Sequence, residues 1–455
     1  MAVARLFVAN RGEIALRIVR AAQAQNIETV VGISDADRGS AAAALADRAI
    51  VIGPGPAAQS YLDARLVVHA AKATGCDALH PGYGFLSERS VLPRLCDQHD
   101  IAFVGPEAGM IDALGDKLQA REMARAAGVP LVPGSESIAS GADARREADR
   151  IGYPVLLKAS AGGGGRGMVI ANNGDEAEAG FAKASAEALA AFNDGTLFME
   201  RFVPKARHVE VQLMGDGKGN VIHFGERDCS VQRRYQKLVE EAPCIAMPDK
   251  VRADLHKAAV ALAASVNYRN AATAEFLYDL ERQEVYFIEV NARIQVEHPV
   301  TEMVTGVDLV GEQIRIAGGL PLSFKQSDIK LNGHAIECRI NAEDAVRGFI
   351  PVPGTIERWQ PPHGEGIRLD SHIQKGSIIP PFYDSMIGKL IVHGSDRADA
   401  IARLDNALSD FVVEGVPTTI ALHRAIVRHP DFISNNFHTR WLEQVLLADP
   451  SALSE

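Results

Sequence analysis

Over its first hundred residues the chain alternates short apolar runs with amphipathic stretches, and that order admits few folds. Val3 to Ala9 reads as a buried strand, Gly12 to Gln25 as an amphipathic helix and Thr29 to Ser34 as a second strand. Leu62 to Thr74 is helical in pattern. Ala78-Leu79-His80 is a short strand before Pro81-Gly82-Tyr83-Gly84, and Ile101 to Val104 closes the set. Parallel strands need crossover helices, so this alternation predicts a doubly wound parallel sheet. The loop after the first strand, Asn10-Arg11-Gly12-Glu13, lacks the glycine fingerprint of a dinucleotide site. The region is expected to frame a site and not to bind NAD.

The rest of the 455 residues supplies enough chain for two or three domains. Asp116 is placed as an N-cap for a helix over Lys117 to Ala127, with Gly128 and Pro130 as stops. A small unit follows: a strand over Val155 to Lys158, a glycine loop over Ala161 to Gly167, and a strand over Met168 to Ala171. A helix over Asp175 to Phe192 and a strand over Thr196 to Glu200 complete it, and the unit resembles a lid. A β-rich stretch runs from His208 to Asn291, broken by a helix near Arg252 to Asn267. From Gly333 an α+β region ends in helices at Arg397 to Phe411 and Pro417 to Arg428. No internal repeat or low-complexity linker divides the chain.

Composition narrows the class. Charged residues at 23% and apolar residues at 47% are ordinary for a soluble globular protein, and a net charge of −11 argues against a nucleic-acid binder. The five cysteines are odd in number, widely spaced and form no CxxC pair. Neither a disulfide framework nor a zinc site is indicated, and reduced thiols in the cytoplasm are expected. The N-terminal apolar run is short and carries Arg5, so it is read as a strand and not a signal peptide. No apolar stretch approaches the roughly 20 residues of a membrane helix.

Four segments carry chemistry. Ala161 to Gly167 contains GxGxxG, but it lies between two strands, and Met168 follows where a Walker A loop needs lysine. Such a glycine hairpin still lets backbone N–H groups approach phosphate oxygens, with Lys158 adding a full charge. The alternative is a flexible surface hairpin. Glu275 and Glu289 sit in apolar strands of an expected hairpin turning near Glu281 to Gln283, so the carboxylates should lie nearly opposite each other. Asn291, two residues on, shares their face. Two carboxylates and an amide oxygen are hard donors that suit magnesium. An acidic surface stripe is the alternative. Next, Arg293, Gln295 and Glu297 alternate, so an extended segment would project them together. The arginine suits a planar anion and the glutamate could take its proton, and bicarbonate meets both demands. A solvated strand is the competing account. Gln232 to Lys237, with His208 on an alternating strand, forms a basic cluster that could equally be a solvated face.

Together these segments resemble the biotin carboxylase family of ATP-grasp ligases. The matching runs are Ala9 to Ala15, His80 to Glu88, Gly115-Asp116-Lys117, Lys158-Ala159-Ser160 with its glycine loop, and Glu226 to Ser230. They continue with Arg293 to Glu302, Glu337 to Glu343 and Tyr383 to Ile387, so the likeness spans Val8 to about Leu442. It implies mixed α/β and α+β structure in three parts. These are an N-terminal doubly wound domain (1–114), an ATP-grasp domain (115–330) with a mobile lid over about 131–203, and a C-terminal α+β domain (331–446).

The resemblance also implies roles. Lys117, Lys158, His208, Gln232 and Lys237 would contact ATP or its phosphates, with Gly163, Gly164 and Gly165 above them. Glu200 and Val203 would meet the adenine, and Leu277 would also bind the cofactor. Glu275, Glu289 and Asn291 would hold Mg2+ (or Mn2+). Arg293, Gln295, Val296 and Lys237 would hold bicarbonate, Glu297 would be its general base, and Arg339 would stabilise the enolate of biotin. Three positions depart from the common family pattern: Ala161, Ala292 and Tyr235 stand where glycine, threonine and histidine are frequent. Altered nucleotide affinity with retained chemistry is expected.

None of the nine methionines precedes a lysine, so the Met-Lys biotinylation site is absent. A separate subunit is expected, working with a biotin carboxyl carrier protein and carboxyltransferase subunits, as in acetyl-CoA carboxylase of fatty acid synthesis or a related acyl-CoA or pyruvate carboxylase. A homodimer is expected on the resemblance alone. Another ATP-grasp ligase would share the lid and metal acids, but not the Gln295-Val296-Glu297 run together with Arg339. A non-catalytic nucleotide sensor would be expected to have lost the base or a metal acid.

Overall fold

The computed structural model describes residues 3–160 and 168–449. The glycine loop expected over Ala161 to Gly167, with Gly163, Gly164 and Gly165, lies outside the described residues. The first five strands are β1 (Arg5–Val8), β2 (Glu28–Ser34), β3 (Arg48–Gly53), β4 (Ala78–His80) and β5 (Ala102–Phe103). They pair in parallel in the order β3-β2-β1-β4-β5, the doubly wound arrangement expected from the alternation. Strand β1 shows why both faces need helices. Leu6 and Val8 point into a core with Ile14, Ile18 and Val19 of the helix Gly12–Gln23. Phe7 points the other way, among Val67, Val68 and Ala71 of the helix Ala64–Ala73. Strand β3 is an edge that the pattern alone does not mark, since it buries only Ile52.

Strands β6 (Val155–Ala159), β7 (Val169–Ala171) and β8 (Leu197–Arg201) form a separate antiparallel sheet in the order β7-β6-β8. The helices Gly141–Ile151 and Gly174–Phe192 pack over it through Ala144, Ala148, Ala177, Ala184 and Ala188. Alanines let helix and sheet approach closely, so this unit has its own small core.

The largest sheet holds β9 (Ala206–Asp216), β10 (Val221–Arg233), β11 (Gln236–Ala242), β12 (Arg269–Asp279), β13 (Glu284–Asn291) and β14 (His334–Asn341). Its order is β13-β12-β9-β10-β11-β14, extended by the strands Met386–Gly394 and Ile367–Ser371. Every neighbouring pair is antiparallel. The β11–β14 pairing carries the sheet across position 330, so the expected boundary there divides the chain but not the sheet. Helices Arg397–Asp410 and Ile420–Arg428 cover its far end, packing Leu404, Leu408 and Ile426 over Ile336, Cys338 and Leu390. All five cysteines are free and buried. Among the described residues no helix is long and apolar enough to cross a membrane.

Candidate active site

A cleft of about 700 Å³ opens between the three sheets. Among the described residues, every one singled out above for ATP, metal, bicarbonate or biotin lines it except Glu297.

At its centre the β12–β13 hairpin turns between Asp279 and Glu284, and Glu275 pairs directly with Glu289, as expected, although a turn at this position would by itself set Glu275 against Ile288. A bulge follows Glu275, since Phe276 pairs with Phe287 and leaves Ile288 as the extra residue. The Asn291 amide donates to Glu275 at 2.7 Å. Glu275 is buried; burial opposes its ionisation, but Lys237 and His208 outweigh burial and hold the carboxyl well below the usual carboxylate range. Glu289 is more open and faces Lys117 at 3.6 Å. Two carboxylates and an amide on one face of a hairpin fit a hard divalent cation.

Beyond Asn291 the backbone corrects the expectation of an extended segment. The strand ends there, the chain turns, and Glu297 becomes the N-cap residue of the helix His298–Thr305. Arg293, Gln295 and Glu297 therefore converge through a turn and not by strand alternation. Arg293 donates to Gln295 at 2.8 Å and to Glu88 at 2.9 Å, and Gln295 donates to Glu275 at 3.0 Å. Glu297 is fully buried, with one oxygen 2.7 Å from Lys237 and the other 3.0 Å from Arg339. Burial again opposes ionisation, but Lys237, Arg339 and Arg227 prevail and hold Glu297 far below the ordinary range.

The basic run splits by alternation. Gln232 pairs with Lys237 across a tight turn in which Arg234 and Tyr235 both have positive φ, 47° and 65°. Gln232 meets His208 at 2.8 Å. Arg233 lines the cleft with Phe349, on which it stacks, and donates to the Gly348 carbonyl at 3.1 Å. Lys237 reaches Glu210 at 2.5 Å and Glu275 at 3.0 Å as well as Glu297. Burial disfavours the ammonium, yet these acids raise its pKa well above the usual lysine value. The clusters His208/Glu210/Glu275 and Glu210/Cys229/Glu297 have metal-like spacing. Lys237 pairs with the carboxylates of both, Glu210 and Glu275 in one and Glu210 and Glu297 in the other.

At the outer end Lys158 pairs with Glu200 at 2.6 Å, and Arg121 pairs with the same carboxylate. Lys117 opens the helix Lys117–Ala126, which Asp116 caps by accepting from Leu118 N–H at 2.9 Å. A lysine on a helix N-terminus, with Lys158 beside it in the same cleft, suits phosphate. Val203 and Leu277 offer apolar surface. Arg339 on β14 is anchored by Glu240 at 2.7 Å.

The sequence reading missed several supports. Glu210 shares the face of His208 on β9 and could have been found from that alternation. Arg227, which bonds Glu210 at 2.6 Å, and Glu240 sit on strands whose approach depends on sheet order.

Family models match the chain in three consecutive blocks. They are the biotin carboxylase N-terminal domain over residues 2–111, the ATP-binding domain of the carbamoyl-phosphate synthase L chain over 116–325, and the biotin carboxylase C-terminal domain over 337–444. Biotin carboxylase 1 of Bacillus subtilis is 49% identical over 442 residues, covering 97% of this chain and 98% of the relative. The chain belongs to the biotin carboxylase family. It is accordingly an ATP-dependent ligase. The biotin carboxylase of Haemophilus influenzae is also 49% identical, over 97% of this chain and 98% of that one. Among solved structures, a biotin carboxylase from Campylobacter jejuni in a β,γ-ATP complex superimposes with a TM-score of 0.95 at 44% identity, covering 97% of this chain and 99% of that chain. The biotin carboxylase domain dimer of a Hydrogenobacter thermophilus 2-oxoglutarate carboxylase, with MgADP, ADP and bicarbonate, gives a TM-score of 0.94 at 46% identity over 100% and 99% of the two chains.

Proposed function

We propose that the cleft joins bicarbonate to biotin on a carrier protein at the expense of ATP, releasing ADP and phosphate by way of carboxyphosphate. The observation that carries this reading is Glu297, fully buried and held between Lys237 and Arg339. A carboxylate so enclosed is costly unless it has work to do, and proton removal from a small anion is such work.

Lys117, Lys158, His208, Gln232 and Lys237 bind the nucleotide and its phosphates, with Glu200, Val203 and Leu277 around the base. Glu275, Glu289 and Asn291 would hold magnesium, or manganese, whose charge offsets that of the phosphates. Arg293, Gln295, Val296 and Lys237 hold bicarbonate, and Glu297 takes its proton. Bicarbonate is a poor electrophile until phosphorylated, and phosphoryl transfer depends on positioning and on cations that meet developing charge. Carboxyphosphate is labile in water, which gives the small three-stranded unit its use as a lid. Arg339 faces the ureido oxygen of biotin as charge builds there.

The divisions at 114/115 and 330/331, a homodimer, a cytoplasmic location, and a biotin carboxyl carrier protein and carboxyltransferase as partners complete the proposal. It is tested by ADP release from the purified chain with magnesium, with bicarbonate and free biotin each added or omitted. Release that requires bicarbonate and rises with biotin is expected. No response to either would overturn the proposal.

A further inference from the structure

The turn that carries Glu297 is held from beneath by a residue outside the roles assigned above. Lys389, on the strand Met386–Gly394, is fully buried, and its ammonium donates to the Val296 carbonyl at 2.8 Å. That carbonyl belongs to the peptide joining Val296 to Glu297. On the other side Lys389 meets Glu13 at 3.3 Å, from the helix Gly12–Gln23, and Glu13 is buried too. The strand neighbours of Lys389 are Arg339 and Asp370. Arg339 is committed to Glu240 and Glu297, and Asp370 to Arg368.

Burying an ammonium forfeits its hydration, and one carboxylate at 3.3 Å returns only part of that. A methionine would fill similar space without the penalty. The charge is retained where it can grip one peptide of an irregular turn. Through Glu13 the grip extends to a helix whose first residues, Gly12 to Ile14, also line the cleft.

We infer that Lys389 is a positioning residue for bicarbonate activation: it locks the Val296–Glu297 peptide, and so sets both the backbone facing bicarbonate and the base beside it. The inference rests on the reading of Glu297 as that base. Supports of this kind around a reactive group are typically worth about 10–100-fold.

The test uses the full chain with Lys389→Met, and with Glu13→Gln/Lys389→Met, in which Glu13 is not left as a buried carboxylate without the cation it meets. The expected result is a folded double variant whose KM for bicarbonate rises about tenfold while kcat falls and KM for ATP stays within about twofold. A purely structural role would lower Tm and the active fraction with both KM values unchanged, and would overturn the inference. So would wild-type kinetics in a folded variant, or failure of both variants to fold, since the ammonium would then serve the fold. If the unsubstituted chain released no bicarbonate-dependent ADP, the proposed function would fall and this inference with it. If it did release ADP, a negative result would bear on Lys389 alone.

Discussion

Arg339 donates to Glu297 at 3.0 Å, joining the cation assigned to biotin with the base assigned to bicarbonate before either substrate is present. Lys237 holds the other oxygen of the same carboxylate at 2.7 Å. Glu297 clamped in this way is a weak base. Bicarbonate entering among these cations would draw one of them off and strengthen the base where the proton must be taken.

Replacing Glu297 by glutamine keeps the shape and removes the base. Turnover should fall at least about 100-fold while nucleotide binding changes little. Bicarbonate-dependent ADP release and an ATP titration read the two effects separately. Near-normal turnover would exclude Glu297 as the base.

Arg339→Ala should lose biotin carboxylation more than it loses bicarbonate-dependent ATP hydrolysis, by about tenfold or more, if the guanidinium serves the second step as proposed. Carboxylated biotin and ADP measured in one reaction would give the ratio. An equal loss in both would place Arg339 in the earlier step or in the fold.

Asp116→Ala removes the cap of the helix that Lys117 opens. The expected cost is about 1 kcal/mol of stability, with a raised KM for ATP because Lys117 loses its fixed position. Denaturant unfolding and steady-state kinetics would check it. A stability loss with KM unmoved would separate the cap from phosphate binding.

Chelation of magnesium should stop ADP release, and added magnesium should restore it. Glu275→Gln and Glu289→Gln should each shift the magnesium dependence to higher concentration. A metal titration unchanged in both variants would remove this pair of acids as ligands.

Acid stability should depend on Glu241, which bonds Arg397 at 2.6 Å and His334 at 2.9 Å. Burial opposes its ionisation, but Arg397 and His334 outweigh burial and bring it from 4.5 to about 2. The folded state holds this carboxyl lower than the unfolded chain does. Its contribution is therefore complete above about 4.5 and is lost as the pH falls from there towards 2. At 1.36 kcal/mol per pH unit that contribution is about 3 kcal/mol. Glu241→Gln should flatten the acid limb of a plot of unfolding free energy against pH. A limb as steep as that of the unsubstituted chain would reject the assignment.

Local pattern carried much of the fold. Strand β4, buried at every position, follows from a short run that Pro81 and Gly82 end, and the capped helix at Lys117 from an aspartate accepting from the first turn, rules that act within a few residues. The facing of Glu275 and Glu289 was expected from the hairpin, but the register that delivers it depends on the bulge at Ile288, which the local pattern does not mark. The helix His298–Thr305 was not legible, because Pro299 and the charged run before it read equally well as extended chain.

What the sequence determined by itself was therefore the list of chemical groups and their local settings: two acids in the strands of one hairpin, the lysine on a helix start, the glutamine and lysine of one basic run. Tertiary structure alone decided that Lys237 meets Glu210, that Arg339 meets Glu297, and that Lys389 reaches the Val296 carbonyl. These contacts join segments distant in the chain, strand to strand or strand to turn, and the tertiary packing, with the burial it imposes, decides which charges must neutralise one another.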